Sequence, residues 1–409
     1  MFAASAVVIA GAQGGLDPLV PAAKLRYPDW LHGPLKPFEL DLAPSGLAVL
    51  LLVLCAAYLV VLACAGHVAP RVAIAAIVGL HVLYMLAPPL LSSDVFGYVD
   101  LGRLGAVHGI DPYSADSTPL PDDEVYDFRR WGTDLPSPYG PLFVVLVYPL
   151  ALLGVPAAFW GLKLVLTVAS LATIALVWRC AERLGRDPVH AALFVGLNPI
   201  LLLFTVGGAH NDTLLTLALM GGIALALAER DRLVAAALAA GTAVKVSGGL
   251  PLLFALAGAR RRSDALEGAA AAAAGVLVLT AIFFGTDARR LVDAVREQQD
   301  QVALFSFPNR LGEWLGHGAI TDGIQTTAAV VLVAAAALLL WRAWRGYDWI
   351  AAAGWATAVL LVTSAWLLPW YVVWLLPLAA LAGDRRLRWA AIAIGGFVVY
   401  TRVELWFVL

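Results

Sequence analysis

The sequence predicts an all-α polytopic membrane protein, a bundle of about 11–13 transmembrane helices of about 20 residues each. Two observations carry this. Of 409 residues, 61% are hydrophobic and 14% charged, against roughly half and a quarter in soluble domains, which excludes a soluble globule, a disordered chain or a fibre. The apolar residues also fall into long runs punctuated by charge. The clearest are 46–66, 71–90, 157–180, 189–206, 213–229, 264–285, 322–343, 348–366, 369–383 and 388–408.

Residues 2–15 are apolar but short and Gly-rich, a first span or an interfacial segment; no basic stretch precedes them, so a cleaved signal is the weaker reading. The run 138–153 opens on Pro138-Tyr139-Gly140-Pro141 and is too short to cross, which predicts a helix lying at the interface. Between Arg232 and Arg260 the run is broken by Gly241, Lys245, Gly248, Gly249 and Pro251. This predicts two short helices meeting at a polar elbow, the kind of break that lines a cavity in a membrane protein. The Ala tract 269–274 belongs to a span.

The formal net charge is −2, and no global basic field points to nucleic acid. Cys55, Cys64 and Cys180 all lie in apolar runs, which leaves no thiol framework for a disulfide or zinc site. Arginines at 71, 179/183/186, 230/232, 260–262, 342/345 and 385/386/388 occupy alternate short loops, and by the positive-inside rule these are cytoplasmic. The opposite loops, 91–137, 207–212, 245–248, 286–321 and 364–371, then face outside. The first holds Asp94, Asp100, Asp111, Asp116, Asp122, Asp123, Glu124, Asp127 and Asp134. The chain is therefore expected to be one integral membrane domain, 1–409, multi-pass in the plasma membrane, with its active face in an extracytoplasmic loop at 91–140.

Asp94 stands just past the outer end of an apolar helix, either as a helix-end acid in the headgroup zone or as a base at a lipid-facing site. Tyr98, Arg103 and Tyr113 follow in the same loop as donors and aromatic surfaces suited to a sugar. His210, Asn211 and Asp212 follow a glycine pair and open a helix. Asn211 or Asp212 is an N-cap on the plain reading; together the three form a polar group able to hold an anion or a saccharide. They lack the spacing of a zinc motif. Lys245 lies between apolar stretches, where an unpaired ammonium costs about 2.5–3.5 kcal/mol, so it requires an acid, exposed carbonyls or a substrate phosphate. Arg310 is a second outer cation, among aromatic residues. Trp366, Trp370, Tyr371 and Trp374 are an interfacial aromatic belt or, at Trp370-Tyr371, the wall of a groove.

The ordered series Ser93-Asp94-Val95-Phe96-Gly97-Tyr98, Gly109-Ile110-Asp111-Pro112-Tyr113, Ser137-Pro138-Tyr139-Gly140-Pro141-Leu142, Asn198-Pro199, Gly208-Ala209-His210-Asn211-Asp212 and Leu368-Pro369-Trp370-Tyr371 resembles the actinobacterial polyprenol-phosphate-mannose-dependent α-mannosyltransferases. These are GT-C membrane glycosyltransferases of phosphatidylinositol mannoside and lipomannan biosynthesis. The resemblance runs from about residue 45 to 383. It implies a GT-C helical bundle with interfacial helices in an outer loop, and an acid of that loop, Asp94, as catalytic base. It also implies a polyprenyl-phosphate-sugar donor and a glycolipid acceptor within the lipid bilayer.

On this reading a phosphate leaves as an anion and needs no general acid, while the acceptor hydroxyl must lose its proton, so a single essential carboxylate and inversion are expected. Lys245, Arg310, His210, Asn211 and Asp212 are the expected donor phosphate and sugar ligands; Tyr98, Arg103, Tyr113, Tyr139, Trp370 and Tyr371 the expected substrate groove. No cofactor and no metal are expected. The alternatives are an arabinosyl- or glucosyltransferase with the same class of donor, or a transporter or flippase for a lipid-linked saccharide.

Overall fold

The computed structural model of the chain describes residues 1–14, 20, 28–114, 120–129, 136–287, 289–299 and 301–408, so that Asp116 and Asp134 lie outside the described residues. Among the described residues the chain is helical, with no strand. The helices in order are α1 (Phe2–Gln13), α2 (Asp29–His32), α3 (Pro44–Ala63), α4 (Pro70–Met85), α5 (Asp94–Ala106), α6 (Pro141–Ala151), α7 (Val155–Arg183), α8 (Pro188–Gly196) and α9 (Asp212–Ala226). They continue as α10 (Asp231–Val244), α11 (Gly249–Gly258), α12 (Arg262–Phe284), α13 (Arg289–Gln299), α14 (Phe307–Trp314), α15 (Asp322–Trp344), α16 (Trp349–Thr363), α17 (Leu375–Leu381) and α18 (Arg385–Val408). Local chemistry marks many of the starts. Pro44, Pro70 and Pro188 sit at first helical positions, where a missing N–H has no intrahelical partner to lose. Asp187 and Asp348 cap the following helices by accepting backbone N–H groups at 2.9 Å.

α3, α7, α12 and α15 are long and apolar enough to cross a membrane singly; α8 and the π-helical turn Ile200–Val206, bent by 46°, make a fifth span if taken together. The other expected spans are shorter: α4 has 16 residues and α9 and α16 have 15 each. At 1.5 Å per residue these measure about 22–24 Å against about 30 Å of hydrocarbon. Among the described residues the all-α polytopic architecture thus combines four or five full-length apolar helices with shorter apolar ones. The membrane itself is legible in α15: its most apolar window has no buried residue, and that of α12 is 11% buried. Such surfaces would aggregate in water and are at rest against lipid.

The break inside α8 and its π-turn has its own partners. Asn198 Oδ1 accepts the Ile200 N–H at 2.9 Å, its amide donates to the Tyr58 hydroxyl at 3.3 Å, and that hydroxyl donates to the Phe194 carbonyl at 2.7 Å. Groups freed by the bend are thereby satisfied inside the bundle.

The elbow expected at Lys245 is present. α10 ends at Val244, Lys245 is extended (φ −154°, ψ 131°), a 3-10 turn covers Val246–Gly248, and α11 leaves from Gly249. The Val244 carbonyl, released by the break, accepts the Gly140 N–H at 2.9 Å. Gly140 starts α6, whose 11 residues are too few to cross, as expected. Only glycine allows this approach, because a Cβ there would collide with the Ala243 carbonyl.

Helix alternation puts the loops into two groups. α9 runs from Asp212 to the turn at 227–230, α10 returns to the elbow, and α11 leads away to Arg260. At that far end Asp231 accepts the Arg261 N–H at 2.7 Å and Arg232 pairs with Glu267 at 2.7 Å, while the Arg262 guanidinium lies 3.5 Å from the Trp344 ring centre. The arginine loops after α9, α11 and α15 therefore share one end, and the starts of α5, α9 and the elbow share the other.

Replacing Gly140 with alanine is expected to push the start of α6 off the elbow, with loss of about 1–3 kcal/mol. Thermal unfolding of the detergent-solubilised protein measures it; an unchanged midpoint would refute the contact.

Candidate active site

The polar segments at that second end converge. Asp212, first residue of α9, is fully buried and accepts two hydrogen bonds from Lys245 Nζ, at 2.9 Å to Oδ1 and 3.2 Å to Oδ2. A third comes from the indole N–H of Trp374 at 2.6 Å, from the 3-10 turn Pro369–Trp374. The lysine also lies over the ring of Tyr371 (4.5 Å), Trp374 (5.4 Å) and Tyr139 (6.0 Å), so aromatic faces complete its desolvated shell. Tyr371 and Trp374 stack at 4.3 Å.

His210 precedes this pair by two residues and stacks face to face on Trp370 at 3.6 Å. Its Nδ1 lies 3.6 Å from Asp94 Oδ2 and 3.5 Å from the Tyr98 hydroxyl. Burial first, and then the charge of Lys245, holds the imidazole well below its ordinary pKa, so it is neutral at pH 7. Its Nε2 and both polar atoms of the Asn211 amide are buried without a hydrogen-bond partner among the described residues. Asn211 occupies the N-cap position of α9, but its side chain makes no capping bond; the plain N-cap reading is therefore not realised by either residue's side chain.

Asp94 opens α5 and keeps a quarter of its side chain exposed. Its carboxyl is pushed above the ordinary carboxylate range, first by burial and also by Asp212, against the opposing pull of a Ser92 hydrogen bond and of Lys245. No cation pairs with it directly among the described residues. The two carboxylates of the cluster thus differ in kind: Asp212 is consumed by Lys245 and Trp374, whereas Asp94 has room for a new partner. Beside them Tyr98 and Tyr139 meet edge to face at 5.0 Å. Among the described residues no three His, Cys, Asp or Glu side chains gather to hold a metal ion.

The segments that present these groups are strained. Leu91 (φ 61°) and Ala209 (φ 55°) adopt the left-handed region without being glycine, at about 1–2 kcal/mol each. Such backbone persists only where its surroundings fix it, commonly beside a functional site.

Three residues expected in the site lie elsewhere. Arg310 pairs with Glu313 at 2.7 Å and with Glu404 at 2.5 Å, tying α14 to α18. Arg103 donates to both oxygens of Asp123, at 2.8 and 3.0 Å, and its Asp123 partner also meets His108 Nε2 at 2.6 Å; this pins the outer loop onto α5. Tyr113 packs edge on Phe284 and donates to the Tyr139 carbonyl at 2.7 Å, so it supports the groove from behind. Conversely, Trp374 was assigned to an aromatic belt by its sequence, and its hydrogen bond to Asp212 has no signature beyond its spacing from Trp370.

Residues 1–260 match the family model described as alpha-(1->6)-mannopyranosyltransferase, N-terminal domain, and residues 309–402 match the model of the MptB C-terminal domain. The alpha-(1->6)-mannopyranosyltransferase A of Mycobacterium tuberculosis is 27% identical over 345 residues, covering 78% of this chain and 66% of that protein. The alpha-(1->6)-mannopyranosyltransferase B of Corynebacterium glutamicum is 26% identical over 343 residues, covering 73% of this chain and 57% of the relative. The aligned region is thus under two thirds of the length of either relative. No solved structure matches the chain significantly.

Lys245→Met strands the buried Asp212 carboxylate and is expected to remove about 3–5 kcal/mol of stability, part of which Asp212→Leu in the same chain should restore. Thermal unfolding of the two single variants and the double variant forms the cycle; additive losses would mean that the pair is not coupled.

Proposed function

The chain belongs to the alpha-(1->6)-mannopyranosyltransferase family, and from that membership and the cluster around Asp94 we propose that it transfers mannose from polyprenyl-phosphate-mannose to a mannosylated glycolipid of the phosphatidylinositol mannoside or lipomannan type. The observation that carries the reading is the Asp94 carboxylate: partly open, raised in pKa, unpaired with any cation among the described residues, and set beside the stacked His210 and Trp370 rings.

In this reading the acceptor hydroxyl sits within hydrogen-bond reach of Asp94. As its oxygen bonds to the anomeric carbon, the bond from that carbon to the phosphate oxygen breaks, the proton passes to Asp94, and polyprenyl phosphate leaves with the electron pair. One displacement inverts the centre, so a β-linked donor gives an α-linked product. Neutral His210 stands beside the carboxylate without forming an ion pair, and Trp370, stacked on that imidazole, and Tyr371 wall the site. Charge sets a limit on the phosphate. Asp94 and Asp212 with Lys245 and neutral His210 sum to −1, so Lys245 meets the departing phosphate only with the N–H groups that Asp212 leaves to it. Its first role is to neutralise Asp212. The lipid tail stays in the bilayer, and the arginine loops at the opposite end support an extracytoplasmic site in the plasma membrane.

Asp94→Asn is expected to lower transfer by about 10²–10⁴-fold in the purified protein, assayed with labelled polyprenyl-phosphate-mannose and a panel of mannosylated inositol lipids. Near wild-type product would eliminate the base role. Transfer of arabinose or glucose, but not mannose, in the same assay would reassign the donor.

Because ionised Asp94 is disfavoured by its surroundings, kcat should fall on the acid side with a midpoint above the ordinary carboxylate value of about 4. The sign for stability follows from the same shift: an acid whose folded pKa is raised weakens the fold at pH above it. Asp94→Asn should therefore unfold no lower, and by linkage somewhat higher, at neutral pH. A lower midpoint would contradict it. Transfer is expected to survive excess EDTA; abolition reversed by a divalent ion would show a metal requirement.

A further inference from the structure

A second buried lysine stands outside the cluster. Lys163 lies in the first third of α7, fully buried, in a span with no acid beside it. Its ammonium makes no ion pair among the described residues and is surrounded by backbone carbonyls instead: Ala87 at 2.5 Å, Tyr84 at 3.1 Å, Pro88 at 3.3 Å and Gly207 at 3.4 Å. The rings of Phe159 and Trp160, each 5.8 Å away, cover it.

The carbonyls come from two segments and no others. Residues 84–88 end α4 and lead through left-handed Leu91 to Asp94; Gly207 ends the π-turn and leads through left-handed Ala209 to His210. The segments also meet directly, the Leu90 N–H donating to the Gly207 carbonyl at 3.0 Å. Lys163 Nζ directs its N–H donors at carbonyls of two helix ends, and in an apolar interior it cannot leave them without losing its hydrogen bonds. It is well suited to hold two strained loops at one separation.

We propose that Lys163 is a positioning residue, clamping the chain before Asp94 to the chain before His210 and so fixing the carboxylate against the imidazole. It touches no substrate. Its effect on transfer passes through Asp94, so the proposal rests on the reading of Asp94 as base, while its effect on the two loops does not.

The experiment compares full-length wild type, Lys163→Met and Lys163→Gln, each freed of misfolded protein by size exclusion in detergent. Hydrogen exchange is expected to rise by about tenfold or more in both 86–93 and 207–212 in Lys163→Met, with 231–244 unchanged. kcat per folded molecule should fall by about tenfold or more while the donor KM moves by less than about threefold, since the displaced group acts in the transition state. Lys163→Gln, which keeps N–H donors, should lie between. Unchanged exchange in both segments, or wild-type kcat with a merely lower melting temperature, overturns the proposal. If Lys163→Met does not fold, Lys163→Gln decides by the same two readouts. A wild type without transfer would refute the functional reading alone, leaving the exchange result to judge the clamp.

Discussion

An acid and an amine enclosed by an apolar bundle have few ways to exist, and Asp212 with Lys245 shows how much of an architecture such a pair can organise. Neither can remain charged and alone at an acceptable free energy. Bringing them together requires the start of α9 to stand beside the broken junction of α10 and α11, and the indole N–H of Trp374 draws in a third segment. The junction in turn takes Gly140 onto the carbonyl that the break exposes. Four stretches far apart in the chain are thereby held at one end of the bundle. The Asp94 side chain enters a setting whose charge and shape are already established.

The site is made of the parts of the chain that are not regular helix. Within hydrocarbon, a helix satisfies its own backbone and offers little to a polar substrate; a break supplies free carbonyls and N–H groups but must satisfy them locally. Here the 3-10 turns, the extended Lys245, the π-turn and the two left-handed residues all lie around the cluster. Each break is matched by a group that answers for it: the Asn198 and Tyr58 side chains at the bend, the Gly140 backbone N–H at the elbow, the Lys163 side chain at the two loops. This is the arrangement expected where irregular backbone borders a cavity instead of lipid.

Two carboxylates in one low-dielectric cluster are pushed into different roles by their neighbours. With three donors on Asp212, its charge is structural. Asp94, with no cation paired to it among the described residues, keeps part of its carboxylate open and a pKa above the ordinary carboxylate range. The same neighbours leave the cluster with a net charge of −1 when Asp94 is ionised.

Amphipathic logic reaches only part of this from the sequence. The membrane class, the helix order, the elbow at Lys245 and the separation of arginine loops from acid-rich loops follow from composition and spacing, because bilayer thickness and the loss of backbone solvation act on each segment independently. Asp94, His210, Asp212, Lys245, Trp370 and Tyr371 stood out for the same reason, as polar or aromatic residues at the ends of apolar runs. Partner choice is a different matter. Arg310, Arg103 and Tyr113 have the same local signature, yet Glu404, Asp123 and the Tyr139 carbonyl claim them, while nothing in the local sequence of Lys163 or Trp374 marks the partners they find. A charge declares in the sequence that it needs a partner. Which partner it finds depends on helices that are distant in the chain and adjacent in space, and that was decided only by the packing of the bundle.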